Sequence, residues 1–327
     1  MRKTLGSYGG LWLALLLLVG VPAKAFPLFA TFSSIKCVID DTAILMLVAL
    51  AQMPVILTRS IDLSVASNLA FTGMCTALFS HAFPDAGVSA TILLALTIGT
   101  ALGALNGLLV WLLEVPSIVA TLGTLAIYRG LVFVVSGGAW VTSGKLPSAF
   151  IDFVRTNVLG FTLLSWLTTA VALLAYLGFR YTVIGRSFFI AGSNPDAAAY
   201  AGIDIGRMRF IALTLSGAIA GLCGYFWVSR YAIASTDLAY GFELQAIAAC
   251  VIGGVSIAGG RGTVLGVVAA CICLGIIKSA LRLIGVSPFW QMAISGLVII
   301  GAAAHNALRA PTMPRRTLRV AGWPPRL

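Results

Sequence analysis

Long apolar runs alternate with short polar breaks along almost the whole chain. The runs fall at Tyr8 to Phe32, Thr42 to Thr58, Ile61 to Ser80, Gly87 to Leu113, Ser117 to Ser136, Val158 to Phe179, Phe210 to Val228, Leu244 to Ile257, Thr263 to Leu281 and Phe289 to Ala304. About twenty apolar residues in a helix cross a bilayer, so the pattern predicts an all-α, polytopic membrane bundle of about ten transmembrane spans, some short or broken. The most polar long interruption, Arg180 to Arg209, carries Arg180, Arg186, Arg207 and Arg209 against Asp196 and Asp204 alone. Inside it, Ser193-Asn194-Pro195-Asp196 reads as a helix start. The Asn side chain can accept from orphan amides, the Pro lacks a donor not needed there, and the acid suits the positive dipole end. Ala197, Ala198 and Ala199 continue that helix and Gly202 stops it, which predicts roughly seven residues or about 10 Å of helix. A short helix in a basic loop between spans has the form of a docking knob.

Composition narrows the class further. Of 327 residues, 60% are hydrophobic and 9% charged, which excludes an ordinary soluble domain. The net charge of +11 sits in loops and a tail without an aromatic-basic patch, so no nucleic-acid partner is expected. With the amino terminus inside and ten spans, the inner side holds 13 Lys and Arg and the outer side 7, which predicts both termini and the central loop in the cytosol. Arg2 and Lys3, the apolar run from Leu11 and the small-x-small Ala23-Lys24-Ala25 admit two readings: a cleaved signal peptide, or an uncleaved first span in which Lys24 snorkels. Residues 1–308 are read as one transmembrane domain with its loop at 180–209. Residues 309–327 are read as a basic, Pro-rich cytosolic tail lying against anionic lipid.

Chemistry-bearing clusters are scarce. Five of the six cysteines lie inside apolar runs, and Cys271 and Cys273 point to different helix faces, so neither a disulfide nor a metal framework is expected. The chain has two histidines, His81 and His305, and lacks HExxH, GxSxG and GxxxxGK[ST]. An enzyme is not expected, and no cofactor is.

The run GRSFFIAGSNPDAAAYAGI resembles the cytosolic coupling loop of the ribose-type permease subunits of bacterial ABC monosaccharide importers, the binding-protein-dependent inner membrane component family. On that resemblance Gly192, Asn194, Pro195, Ala197, Ala198 and Gly202 would contact an ATPase subunit. Three further stretches resemble the same family. IDLSVAS from Ile61 places Asp62 and Ser64 at the start of a span, where Asp62 either caps the helix or takes part in gating. Gln52-Met53-Pro54 just before it departs from the family pattern and predicts a kink that exposes carbonyls near Leu50. Asn106-Gly107 opens the stretch that runs to Gly130 and includes Arg129, about 18 Å along its span from Ser117. An Arg at such depth either faces the bundle or snorkels outward. The most specific match runs from Glu243 to Gly275, where Gly253, Gly254, Gly259, Gly260 and Gly262 suit a tight re-entrant loop or close helix packing. Ser60-Ile61 and Ser256-Ile257 form a weak internal echo, each lying between an apolar span and a break.

The resemblance implies an inner-membrane permease that pairs with itself or a sister permease. It would receive a ribose-, rhamnose- or xylose-like sugar from a periplasmic binding protein and be driven by cytosolic ABC ATPase subunits. Gln52, Asp62, Ser64, Asn68, Asn106, Arg129 and Gln291 are the pathway or gating candidates. The rival is a self-contained, ion-coupled transporter, which would place acids or His deep within spans, whereas Asp62 and Glu114 sit near span ends.

Overall fold

The computed structural model describes residues 31–287 and, beyond them, residues 290, 293, 296 and 297. All but the last two residues of the first apolar run, the signal-peptide site, Gln291, most of the last run and the tail lie outside the described residues. Among the described residues eleven α-helices follow one another: α1 (Phe32–Leu57), α2 (Val65–Ala82), α3 (Gly87–Trp111), α4 (Ser117–Ser136), α5 (Ser148–Arg155), α6 (Leu163–Tyr181), α7 (Val183–Ser193), α8 (Pro195–Tyr200), α9 (Ile205–Tyr231), α10 (Phe242–Ile252) and α11 (Val264–Leu283). Two-residue strands tie the loops at one end of the bundle. The first is β1 (Val141–Thr142), β2 (Asn157–Val158) pairs antiparallel with β3 (Phe161–Thr162), and β4 (Ile233–Ala234) pairs antiparallel with β1.

Among the described residues five helices, α3, α4, α6, α9 and α11, are long and apolar enough to cross a membrane. Helix α9 is the axis: most of it is buried, whereas α3, α4 and α6 leave most of their length on the outside of the chain. Their outward residues are apolar, among them Leu93, Leu122, Ile127, Val134 and Leu174. Against lipid an outer surface gains nothing from being polar, so small and polar residues turn inward and the usual amphipathic stripe disappears. The closest packing joins α3 to α9. A Cβ on Gly99 would come within 2.5 Å of the Gly217 carbonyl oxygen, and one on Gly103 within 2.5 Å of that of Leu213. Small residues at Ala95, Gly99 and Gly103 thus face Gly217 and Gly221 across a seam where two backbones touch.

Side-chain caps set several helix starts. Thr162 accepts from Ser165 N, Thr182 from Gly185 N, Asp204 from Arg207 N and Thr263 from Gly266 N. Two boundaries differ from the expected ones for this reason or a related one. Helix α9 begins at Ile205 rather than Phe210 because Asp204 caps it, so most of the predicted polar loop is itself helical. Helix α1 begins at Phe32, ten residues before the expected Thr42, because Lys36, Asp40 and Asp41 find partners elsewhere in the chain, on β2, β3 and α9, and no longer oppose helix formation. The expected span at Leu244 to Ile257 is the 11-residue helix α10 followed by a loop. Eleven residues rise only about 17 Å, so the remaining distance is covered by irregular backbone. Such backbone is tolerated at membrane depth where protein surrounds it.

Candidate functional site: a glycine junction beneath the short polar helix

Helix α8 spans six residues. Asn194 Oδ1 accepts from Ala197 N at 3.2 Å, Pro195 occupies the first turn, and Gly202, at φ +75°, ends the segment in a left-handed conformation with its N–H donating to Ala199 O. Ala198 is 0% exposed, so it seats α8 on its own chain. Outward stand Asp196, Ala197, Ala199 and above all Tyr200, 95% exposed, a large side chain that sequence reasoning did not single out.

Directly before α8 three backbones converge. Gly260 N donates to Leu57 O at 3.0 Å, joining the glycine-rich loop to the end of α1. A Cβ on Gly192 would fall inside the Leu57 carbonyl oxygen and 2.6 Å from Gly260 N, so only glycine fits. Gly260 sits at φ +71° with Ser193 packed against it, which fixes glycine on two grounds. Gly259 lies against Arg59 and Leu57, Gly262 beside Val255, and Gly253 touches Gly266 where α10 and α11 approach. Gly254, at φ +84°, turns the chain in open space.

Arg59 locks this junction. Its Nε donates to Gly192 O at 2.7 Å and its Nη2 to Ser193 O at 3.2 Å, while its own backbone has φ +59°. Arg209 Nε reaches Thr58 O at 3.4 Å from α9. A non-glycine residue held left-handed is costly, and here two charge-assisted bonds to backbone carbonyls offset that cost. A cavity of about 770 Å³ opens beside the junction, lined by Arg59, Arg209, Trp111, Glu114 and Asp204 among others.

Behind the junction lies a chain of buried polar groups. Asp62 Oδ1 accepts from Ser64 N (2.9 Å) and Ser64 Oγ (2.6 Å), and Oδ2 from Ser216 Oγ on α9 (3.0 Å). Asn106 Nδ2 donates to Ser64 Oγ at 2.7 Å, Asn68 Nδ2 to Gly99 O at 3.1 Å, and Thr72 Oγ1 to Asn68 Oδ1. Asp62, Ser64 and Asn106 therefore form one network that ties the α1–α2 break to α3 and α9, while Asn68 ties α2 to α3 separately through Gly99 O; all four are almost wholly buried. Ile61 is held as well, its N–H by Ser117 Oγ and its carbonyl by Thr121 Oγ1 on α4. Gln52 is 0% exposed and its side-chain oxygen and nitrogen find no partner among the described residues. Pro54 lies within α1, and Cys250 Sγ donates to Ala49 O, one residue before the carbonyl that the Pro leaves free.

Arg129 stands apart, at the opposite end of the bundle. Its guanidinium donates to Leu238 O (2.6 Å) and Ala239 O (3.1 Å) and lies over the Tyr240 ring, centroid 5.5 Å away. It is half-buried, bracing the loop between α9 and α10. At the same end Asp41 pairs with Arg230 and Arg282, and Asp40 accepts from Thr162 and Ser165.

Sequence reasoning passed over Arg59, Ser216, Asp40 and Asp41. Arg59 was visible only as a positive charge, and Asp40 and Asp41 only as polar residues before an apolar run. The seam between α3 and α9 did carry a signal, four-residue spacing of small residues at 95, 99 and 103 and again at 217 and 221.

Three comparisons bear on what this arrangement serves. The family model described as branched-chain amino acid transport system / permease component matches residues 35–303. The autoinducer 2 import system permease protein LsrC of Enterobacter sp. (strain 638) is 34% identical over 317 residues, 96% of this chain and 91% of that protein. The LsrC protein of Salmonella typhimurium (strain LT2) is 36% identical over 296 residues, 90% of this chain and 84% of that one. That of Yersinia pestis (strain Pestoides F) is 35% identical over 295 residues, 90% and 82%. No solved structure matches.

Proposed function

The chain belongs to the permease-component family of the branched-chain amino acid transport systems, and from that premise we propose that it forms the membrane pathway of a binding-protein-dependent, ATP-driven importer for a small sugar. It is a multi-pass permease of a bacterial inner membrane. Hydrolysis belongs to separate ATPase subunits seated on the cytosolic face. A second permease, the same chain or a sister, completes the pathway, and a periplasmic binding protein delivers the cargo at the other face.

One observation carries the coupling step: the exposed helix α8 follows a junction in which Gly192, Leu57 and Gly260 are in backbone contact and Arg59 clasps Gly192 and Ser193. A push on Asp196, Ala197, Ala199 and Tyr200 reaches the breaks at 58–64 and 253–263 with no rotatable side chain between. Those breaks separate α1 from α2 and α10 from α11. Rigid shifts of packed helices about such breaks alternate access in two-state transporters.

The cargo is a monosaccharide of the ribose, rhamnose or xylose kind, the reading that the sequence motifs support, or autoinducer 2, for which the relatives are named. Reconstitution of the permease with its ATPase and binding protein tests both. ATP-dependent uptake of one of these compounds is expected. Uptake driven by an ion gradient without ATP would sink the reading, and uptake of L-leucine in place of any sugar would reassign the cargo.

A further inference from the structure

Far from the coupling helix a second cavity, of about 430 Å³, opens between α1, α9, α10 and α11. Asp41 on its wall precedes Leu57 by sixteen residues of α1, about 24 Å of helix, so the two sites occupy opposite ends of the molecule. One wall is aromatic. Trp227 stands edge-to-face with Phe242 at 5.2 Å and beside Tyr231 at 5.3 Å, and Tyr240, 79% exposed, lies at the rim. The rest of the lining is polar and balanced in charge, with Asp41 and Asp237 against Lys278 and Arg282.

These groups are held in place before any ligand arrives. Asp41 is fixed between two guanidiniums, so its carboxylate is spent on neither a cationic nor an anionic guest. Lys278 Nζ donates to Gln245 Oε1, which orients the amide and, among the described residues, leaves its Nε2 protons without an acceptor. Arg129 grips the carbonyls of Leu238 and Ala239 and so sets the loop that carries Tyr240. With Asp41 already paired and both signs of charge in the lining, the cavity has no net pull on an anion or a cation. A neutral, compact ring with one apolar C–H face and several hydroxyls meets complementary chemistry on both walls, and the volume suits a small ligand.

We propose that this cavity is a sugar-binding subsite of the permease itself, in which Trp227 and Tyr240 take the apolar face of a monosaccharide ring and Gln245 and Asp237 bind its hydroxyls. It rests on the import reading above, because under that reading this end faces the binding protein and the subsite receives the released sugar.

The test uses the reconstituted importer, offered D-ribose, D-xylose, L-rhamnose and autoinducer 2, with L-leucine for comparison. With whichever sugar the wild type takes up, Gln245→Ala and Asp237→Asn are each expected to raise the KM for uptake about tenfold with less than a twofold change in maximal rate. An unchanged KM in both variants overturns the subsite and leaves the import reading standing. Uptake of leucine alone by the wild type overturns the reading and the ligand class together. Should a variant fail to assemble, Tyr240→Cys in a Cys37→Ser background supplies a second measurement. The transported sugar is expected to slow maleimide labelling of Tyr240→Cys at least threefold, and labelling at the same rate with and without sugar overturns the proposal.

Discussion

At the end that carries α8, α1, α7 and the glycine-rich loop meet backbone to backbone, with Gly260 N on Leu57 O and Gly192 wedged between them. At the other end, α1, α9 and α11 meet through side chains, with Asp41 shared by Arg230 and Arg282 and Lys278 on Gln245. The difference is mechanical. A backbone contact has no rotamers through which to relax, so a displacement on one side must appear on the other. Bonds between long side chains can absorb a displacement through small rotamer changes, so motion on one side need not reach the other. The first end suits transmission of a push, and the second suits recognition that must release what it holds.

The sharpest way to break that contrast is to add one methyl group where no rotamer can absorb it. Gly192→Ala places a carbon on the Leu57 carbonyl, and we expect a loss of at least about 3 kcal/mol, seen as collapse of the thermally resistant fraction in detergent together with loss of uptake. Gly123→Ala, whose Cβ would meet nothing within 4 Å, serves as the control and should change stability by less than about 0.5 kcal/mol. Equal behaviour of the two would mean that the junction is not tightly packed.

The opposite end should yield more gently. Asp41→Asn leaves Arg230 and Arg282 without their carboxylate, and because all three side chains keep some exposure we expect a loss of about 1–2 kcal/mol in thermal unfolding. Arg282→Gln, at the more exposed partner, should cost less than about 1 kcal/mol. A cost for Arg282→Gln as large as that for Asp41→Asn would show this end to be as rigid as the other.

How much of this was legible in the sequence follows the same division. The all-α bundle, the short capped helix at Pro195–Tyr200 and the glycine clusters could be read because their causes are local: an apolar run, an Asn before a Pro, glycines in close succession. The Arg59 clasp could not be read, because Gly192 and Ser193 lie more than 130 positions away. Asp41 was hidden for the same reason, its partners being 189 and 241 positions distant. Burial also reverses the apparent role of some residues. Ala198 was read as part of the docking knob on the strength of its helix, but helical phase turns it against its own chain and leaves Tyr200 exposed instead. Asp62, Ser64, Asn68 and Asn106 were visible as a set of polar residues in apolar spans. Their partners, Ser216 for Asp62 and the Gly99 carbonyl for Asn68, are residues that no local pattern connects to them.

The smallest expected effect lies at α8 itself. Asn194 holds α8 through a single side-chain bond to Ala197 N, and removing it in Asn194→Ala should cost about 1 kcal/mol of local helix stability. The rest of the bundle does not depend on that bond, so expression and thermal unfolding should stay at the wild-type level. What should fall, by a few-fold, is sugar-stimulated ATP hydrolysis, because a frayed α8 presents Tyr200 and its neighbours in fewer molecules at any moment. Asn194→Asp restores an equally good cap and should recover the stimulation. Tyr200→Ala separates fold from face: it leaves the cap intact and removes the exposed contact, so it should weaken co-purification of the ATPase. If Asn194→Ala and Asn194→Asp are equally impaired, the cap is not what holds the docking helix. If Tyr200→Ala retains the ATPase at the wild-type level, the push enters the junction elsewhere, and the cavity between Arg59 and Asp204 is the next surface to probe.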